Sequence, residues 1–158
     1  MLGKVQEDRL VKLNKMRELG IDPYGGRYDS AEAIDAVLTR HEEDAEGKST
    51  EGQTADVAGR IVLMRDMGKM IFAHLRDETG QMQVAFRKNA MDEADEAGWP
   101  LAKLLDLGDI VAARGVLQKS RTGEITIWAD GLTMLTKSLN PMPEKFHGLV
   151  NVETRYRQ

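Results

Sequence analysis

Cysteine is absent from the 158 residues of this chain. Its absence excludes disulfide bonds, zinc–thiolate sites and cysteine nucleophiles. It is also typical of proteins in a reducing cytoplasm, where we expect this one to reside. Histidine is scarce as well: His41, His74 and His147 are far apart in the sequence. With no closely spaced pair among them, we expect no histidine metal site.

Long hydrophobic runs are missing too. No stretch of the sequence approaches 18 uninterrupted apolar residues, which excludes an ordinary transmembrane helix. The first 20 residues carry five Lys or Arg side chains among their apolar residues, so they do not predict a signal peptide. We therefore expect no membrane partner.

The familiar motifs of catalytic sites are also absent. The sequence contains no Walker phosphate loop, no Gly-x-Gly-x-x-Gly, no Gly-x-Ser-x-Gly and no carboxylate cluster with metal-ligand spacing. It therefore predicts no catalytic residue, no metal site and no cofactor in this chain.

Charge is unevenly distributed, although its sum is only −4. Residues 31–56 carry eight acids and two bases, and residues 90–109 carry six acids and one base. Residues 57–89 carry six bases and three acids, and residues 110–139 carry four bases and two acids. We expect the bases of the two positive segments to cluster on one face suited to nucleic acid. Ordinary solvated side chains are the alternative.

The spacing of apolar residues predicts helices before Asp56 and mainly strands after it. Residues 2–19 have helical spacing and are followed by Gly20, a common helix stop. A second helix is expected to follow Asp29 or Ser30, either of which could cap its N-terminus.

Five strand-like segments follow, with a helix-like stretch between the third and the fourth. Three strands, a helix and two more strands is the order of an OB-fold, a five-stranded Greek-key barrel. We therefore predict a mainly β fold of this kind, with N-terminal helices and a helix between strands 3 and 4. Other small barrels fit the order almost as well. The segments are 57–64, 69–76, 81–86, 109–117 and 124–135.

Alternation along the second strand places Phe72, His74 and Arg76 on its polar face, and Gln83 has the same position on the third strand. Single-stranded RNA needs such a surface, because bases stack on rings, base edges bond amides and phosphates pair with cations. These four are therefore candidate RNA-binding residues. The alternative is that Phe72 packs beneath a helix or loop of its own chain, and Trp128 could likewise plug one end of the barrel.

Short motifs run through essentially the whole chain, and their order and spacing are specific although each is weak alone. They are Leu19-Gly20-Ile21-Asp22-Pro23-Tyr24, Val57-Ala58-Gly59-Arg60-Ile61, Arg65-Asp66-Met67-Gly68-Lys69, Leu75-Arg76-Asp77, Gly108-Asp109-Ile110-Val111, Thr122-Gly123-Glu124 and Lys137-Ser138-Leu139-Asn140-Pro141-Met142-Pro143-Glu144-Lys145. Together they resemble the anticodon-binding OB-fold of class II lysyl-tRNA synthetases.

The resemblance implies that this chain binds the anticodon stem-loop of tRNA-Lys, which has a U-rich anticodon. It implies that Phe72 stacks on an anticodon base and that Gln83 and Arg65 contact the edge of the central uridine. Glu124 would recognise a neighbouring anticodon position by accepting from a base N–H. A structural role at the start of a strand is the alternative for Glu124.

The resemblance also divides the chain into a helical extension at 1–54, an OB-fold anticodon-binding domain at 55–138 and a linker at 139–158 toward a catalytic domain that the chain lacks. The parent would be a cytoplasmic lysine–tRNA ligase that uses ATP and Mg and forms a homodimer through its catalytic domain. The chain itself would then be a monomer without enzymatic activity, and its linker would be mobile or held only by neighbouring chains.

Two rival interpretations stay open. Aspartyl- and asparaginyl-tRNA synthetases share the barrel, but they lack a helical extension of this kind and the Lys-Ser-Leu linker motif. A free-standing OB-fold that binds single-stranded nucleic acid or another protein is the second rival. A reading frame that stopped naturally at Gln158 would favour it.

Overall fold

The computed structural model describes residues 3–25, 28–94 and 98–140. Helices and strands follow one another within these residues largely as the sequence predicts. The helices are α1 (Lys4–Glu18), α2 (Ile34–Arg40), α3 (Lys88–Ala94) and α4 (Gly98–Ala102), and the strands are β1 (Thr54–Asp66), β2 (Met70–Arg76), β3 (Gln81–Arg87), β4 (Ile110–Lys119) and β5 (Ile125–Thr136). The expectation for the linker at 139–158 falls mainly on residues 141–158, which lie outside the described residues.

The five strands form a closed barrel in the order β1-β2-β3-β5-β4. The barrel closes because β4 pairs with β1 as well as with β5. Every pair is antiparallel except β3 with β5, and α3 and α4 lie between β3 and β4 in the chain. This arrangement confirms the predicted OB-fold.

The interior of the barrel is filled by side chains that alternate inward along the strands. Ile61, Leu75, Phe86 and Ile127 are all at most 1% exposed. Burying a side chain of this size contributes about 1.5–3 kcal/mol relative to exposure. Because a packed interior leaves no room for a ligand, any binding site must lie on the outer surface of the barrel or at its ends.

The N-terminal helix α1 packs against the barrel and also against the chain that leaves β5. Leu13 and Met16 are buried. Arg9 donates from Nη1 to the carbonyl oxygens of Ser138 at 3.3 Å and Asn140 at 3.0 Å. The helical extension and the end of the described chain are therefore tied together. No described helix is both long enough and apolar enough to span a bilayer.

The second helix begins at Ile34, so the predicted capping by Asp29 or Ser30 is wrong. Its first N–H groups bond instead to the turn between β2 and β3. The N–H of Ile34 donates to Asp77 Oδ2 at 2.9 Å, and the next N–H donates to Thr79 Oγ1 at 3.0 Å. A helix of seven residues is too short to be stable alone, so its start is set by this tertiary contact.

A buried ion-pair network joins the start of β4 to the end of β5. Lys137 Nζ lies 2.7 Å from Asp106 Oδ2 and 2.8 Å from Asp109 Oδ2. Burial raises the pKa of Asp109 despite the nearby Lys137 ammonium. Burial also acts to raise the pKa of Asp106, but hydrogen bonds from Lys12 and Lys137 outweigh it and lower that pKa. Lys137 is thus enclosed, so the expectation that the bases of 57–89 and 110–139 cluster on one face is wrong for this residue.

Candidate nucleic-acid interface

A β-bulge in β1 decides which of its side chains face outward. Ile61 pairs with Leu75, but Leu63 pairs with His74, so β1 carries one residue more than β2 at this point. Ile61 is fully buried, whereas Leu63 and Arg65 are exposed although they continue its alternation. The bulge therefore moves Arg65 onto the outer face of the barrel.

Two rows of outward side chains run across the barrel from β1 through β2 and β3 to β5. Neighbours within a row are partners in strand register, and the rows are two residues apart along each strand. The aromatic row consists of Arg65, Phe72, Ala85 and Trp128, and the polar row consists of Leu63, His74, Gln83 and Thr126.

The rings of the aromatic row lie on the outer face and contact each other. Phe72 and Trp128 meet edge to face, with ring centroids 6.3 Å apart and planes at 76°. The small side chain of Ala85 stands between them in register. The guanidinium of Arg65 lies 5.7 Å from the Phe72 centroid, and that of Arg87 lies 5.0 Å from the Trp128 centroid. Each ring is therefore paired with a cation, and the cation and the face of the ring attract each other.

A cleft of about 230 Å³ opens on this face, here named the outer-face cleft. Five of the six predicted RNA-binding residues line it. The lining is Arg65, Phe72, His74, Gln83 and Glu124 together with Leu63, Met64 and Ala73. Arg76, the sixth, is exposed two residues beyond His74 on the same strand but does not line the cleft.

The amide of Gln83 is held in one orientation at the floor of the cleft. Its Nε2 donates to Thr126 Oγ1 at 2.9 Å, and the Thr126 hydroxyl donates onward to the carbonyl oxygen of Glu124 at 2.9 Å. Because the only hydroxyl proton of Thr126 is engaged, its oxygen accepts from the Gln83 N–H. The Gln83 oxygen is thereby left as the acceptor available to a ligand.

The carboxylate of Glu124, two residues before Thr126 in the chain, lies next to the imidazole of His74. Glu124 Oε1 is 2.9 Å from the buried Nε2 of His74, although the angle is not that of a hydrogen bond. The other ring nitrogen of His74 is 3.4 Å from the amide nitrogen of Gln81. Since Glu124 itself is exposed, its second oxygen can accept from a ligand N–H.

Thr126 is a residue of this site that the sequence did not single out. It is fully buried and polar, and it orients Gln83. Alternation places it on the same strand face as Glu124 and Trp128, which is the signal that could have found it. No metal-binding group of three or more His, Asp or Glu side chains occurs in the part of the chain that the structure describes.

A family model for the OB-fold nucleic acid binding domain, of the tRNA anticodon type, matches residues 55–135. The chain belongs to this family. The matched range includes every strand of the barrel almost in full, and it contains both the aromatic and the polar row.

The whole chain is similar over nearly its full length to bacterial lysine–tRNA ligases, which confirms the resemblance in the sequence. It is 39% identical over 157 residues to that of Carboxydothermus hydrogenoformans, which is 99% of this chain and 30% of the relative. It is 42% identical over 151 residues to the lysine–tRNA ligase of Bacillus cereus strain AH187, which is 95% of this chain and 30% of the relative. It is 43% identical over 159 residues to the lysine–tRNA ligase of Streptococcus suis, which is 99% of this chain and 31% of the relative. The chain thus spans about 30% of the length of these relatives.

Proposed function

We propose that the outer-face cleft binds the U-rich anticodon of tRNA-Lys. The observation that carries the proposal is that Arg65, Phe72, His74, Gln83 and Glu124 converge on one cleft of a family whose members bind nucleic acid. The similarity to lysine–tRNA ligases supports lysine tRNA as the substrate. The cleft offers a ring, cations and fixed acceptors, which are the groups that unpaired bases need.

Phe72 is the stacking platform. Its ring is half-buried and contacts the ring of Trp128 edge to face. The Arg65 guanidinium lies 5.7 Å from its centroid. A base that stacks on Phe72 would have the N–H donors of Arg65 close to its edge. Arg65 would then donate to a base carbonyl oxygen, as a guanidinium cannot accept.

Gln83 distinguishes uridine from cytidine at the central anticodon position. Uridine presents an N3–H donor on its pairing edge, whereas cytidine presents an unprotonated N3 acceptor. Because Thr126 engages the Gln83 N–H, the Gln83 oxygen faces the base and accepts from uridine. The same oxygen would repel the N3 of cytidine.

Glu124 recognises the neighbouring anticodon position through a base N–H. A carboxylate repels phosphate, so it suits an RNA site only when it contacts a base donor. Its neighbour His74, whose Nε2 is 2.9 Å from Glu124 Oε1, lines the same cleft. Arg76 lies at the border of the site and is assigned to a phosphate of the same loop.

We further propose that the chain is the anticodon-binding part of a lysine–tRNA ligase, with residues 1–54 as the helical extension, 55–138 as the binding domain and 139–158 as the linker. ATP, Mg and lysine would be used by the rest of that enzyme, which would act in the cytoplasm as a homodimer. The chain by itself would bind RNA as a monomer without catalysis.

The test is a titration of the purified chain with the anticodon stem-loop of tRNA-Lys. We expect saturable binding that weakens when the central uridine is replaced by cytidine, and no ATP–pyrophosphate exchange. Equal binding to any single-stranded RNA would favour a general single-strand binder instead. A preference for the aspartate or asparagine anticodon would favour the related synthetases, and exchange activity would contradict the assignment as a binding part.

A further inference from the structure

A second and larger cleft lies on the other side of the aromatic row. Its volume is about 560 Å³. Met70 and Arg87, partners in register on β2 and β3, form its border toward the aromatic row, two residues before Phe72 and two after Ala85. The lining of this basic cleft is Met67, Lys69, Met70, Arg87, Lys88, Asn89 and Ala90.

The charge of the basic cleft differs from that of the outer-face cleft. Its described lining contains no acidic residue and includes the cations Lys69 and Arg87, whereas the outer-face cleft contains Glu124. Asp66, which precedes this lining in the chain, is engaged by Lys103 at 2.9 Å. The basic cleft therefore attracts anions, and its methionine side chains offer an apolar surface beside the cations.

We propose that the basic cleft binds the phosphodiester backbone of the nucleotides that adjoin those recognised in the outer-face cleft. The inference rests on the proposed function, because the RNA must first lie on the aromatic row. Two residues of a strand span about 6.6 Å, so the step from Phe72 to Met70 is close to the length of one extended nucleotide. A strand that leaves the ring of Phe72 in this direction enters the basic cleft at its next phosphate.

Arg87 joins the aromatic row to the basic cleft. Its guanidinium lies 5.0 Å from the Trp128 centroid, and its side chain also lines the basic cleft. A guanidinium that stacks on a ring keeps its in-plane N–H donors, which match phosphate oxygens in pairs. Arg87 thus holds its charge at the boundary between base recognition and backbone binding.

Lys69→Gln tests the proposal with little risk to the fold. The Lys69 side chain is exposed, and the residue's backbone carbonyl accepts from the N–H of Lys88 at 3.0 Å, a bond that the substitution keeps. Arg87→Gln removes the second cation, and Arg87→Lys keeps the charge without the paired donors. Lys48→Gln is the matched control, because Lys48 is exposed in a loop that lines neither cleft.

Each variant would be titrated with a U-rich trinucleotide and with the anticodon stem-loop over a range of salt. For Lys69→Gln we expect unchanged affinity for the trinucleotide and about 3- to 10-fold weaker binding of the stem-loop at low salt. Arg87→Gln also removes the cation beside Trp128, so we expect it to weaken binding of the stem-loop more than binding of the trinucleotide. The slope of log K against log salt should fall by about 0.7–0.9 for each lost contact. Lys48→Gln should change neither quantity.

The outcomes separate this inference from the proposed function. If both variants bind the stem-loop with unchanged affinity and slope while Phe72→Ala weakens it, the basic cleft does not bind backbone and the anticodon assignment stands. If the trinucleotide and the stem-loop lose affinity equally, the cations act within the outer-face cleft and the inference is wrong. If the unaltered chain binds no stem-loop, both proposals fail.

Discussion

Phe72 and Trp128 meet edge to face across Ala85, with their centroids 6.3 Å apart and their planes at 76°. Edge-to-face contact steadies a ring while covering less of it than parallel stacking would. The only side chain between the rings in register is a methyl group, so two rings from strands that do not pair can touch. Phe72 is therefore fixed by a neighbour on the outer face as well as by its own strand.

Phe72→Ala should weaken binding of the anticodon stem-loop by about 1–3 kcal/mol, the range for loss of one base–aromatic stack. Its effect on stability should be smaller than that of Phe86→Ala, since Phe86 is fully buried and Phe72 is not. Truncating a buried Phe costs about 3–5 kcal/mol. Stem-loop titration and urea unfolding of both variants measure the two effects. A Phe72→Ala protein that is as unstable as Phe86→Ala but binds normally while folded would show that Phe72 is a core residue.

Thr126→Val should reduce discrimination between uridine and cytidine at the central anticodon position. The change keeps the side-chain shape but removes the acceptor of the Gln83 N–H, so the amide is free to turn over. One hydrogen bond contributes about 0.5–1.5 kcal/mol, which predicts a roughly 3- to 10-fold loss in the ratio of the two affinities. Titrations with the two stem-loops give the ratio.

Two variants control this experiment. Thr126→Ser keeps the hydroxyl and should keep the discrimination, whereas Gln83→Ala removes the acceptor and should abolish it. An undiminished preference for uridine in Gln83→Ala would remove Gln83 from the recognition site.

Asp77→Asn should destabilise the protein by about 1 kcal/mol at pH 7, because Asn offers one acceptor oxygen where Asp77 uses two, and one hydrogen bond contributes about 0.5–1.5 kcal/mol. Burial acts to raise the pKa of Asp77, but hydrogen bonds from Thr79, Ile34 and Gly80 outweigh it and lower that pKa below its ordinary value of 3.8. A lowered folded-state pKa means that the carboxylate stabilises the fold above pH 3.8 and that this contribution is lost as the pH falls through the folded-state pKa.

The difference in unfolding free energy between the natural chain and Asp77→Asn should therefore narrow on acidification from pH 5 toward pH 2–3. Urea unfolding at several pH values measures it. A difference that stays constant over this range would show that the charge of Asp77 contributes nothing to the cap.

Lys137→Met should destabilise the fold by about 3–5 kcal/mol, because it leaves Asp109 buried without its cation. Adding Asp109→Asn should recover part of the loss, since the double variant no longer buries an unpaired charge at that position. Urea unfolding of the two single variants and the double variant gives the coupling energy. Strictly additive losses would show that the two side chains do not stabilise each other.

The strands and the core could be predicted from the sequence, because the alternation of apolar and polar residues along a strand is a local property. Phe72 and Gln83 could be assigned to the polar face from their neighbours along one strand. Arg65 could not be placed in this way, because the bulge that turns it outward depends on pairing with β2. The burial of Lys137 was equally hidden, since its partners Asp106 and Asp109 are about 30 residues away in the chain.

The contact between Asp77 and the N-terminus of α2 has a consequence for synthesis of the chain. The N–H of Ile34 leaves the ribosome 43 residues before its acceptor does. A seven-residue helix is not stable on its own while those 43 residues are being made. The segment that becomes α2 therefore stays open during translation until the turn between β2 and β3 has emerged, and its amides become protected from exchange only together with that hairpin.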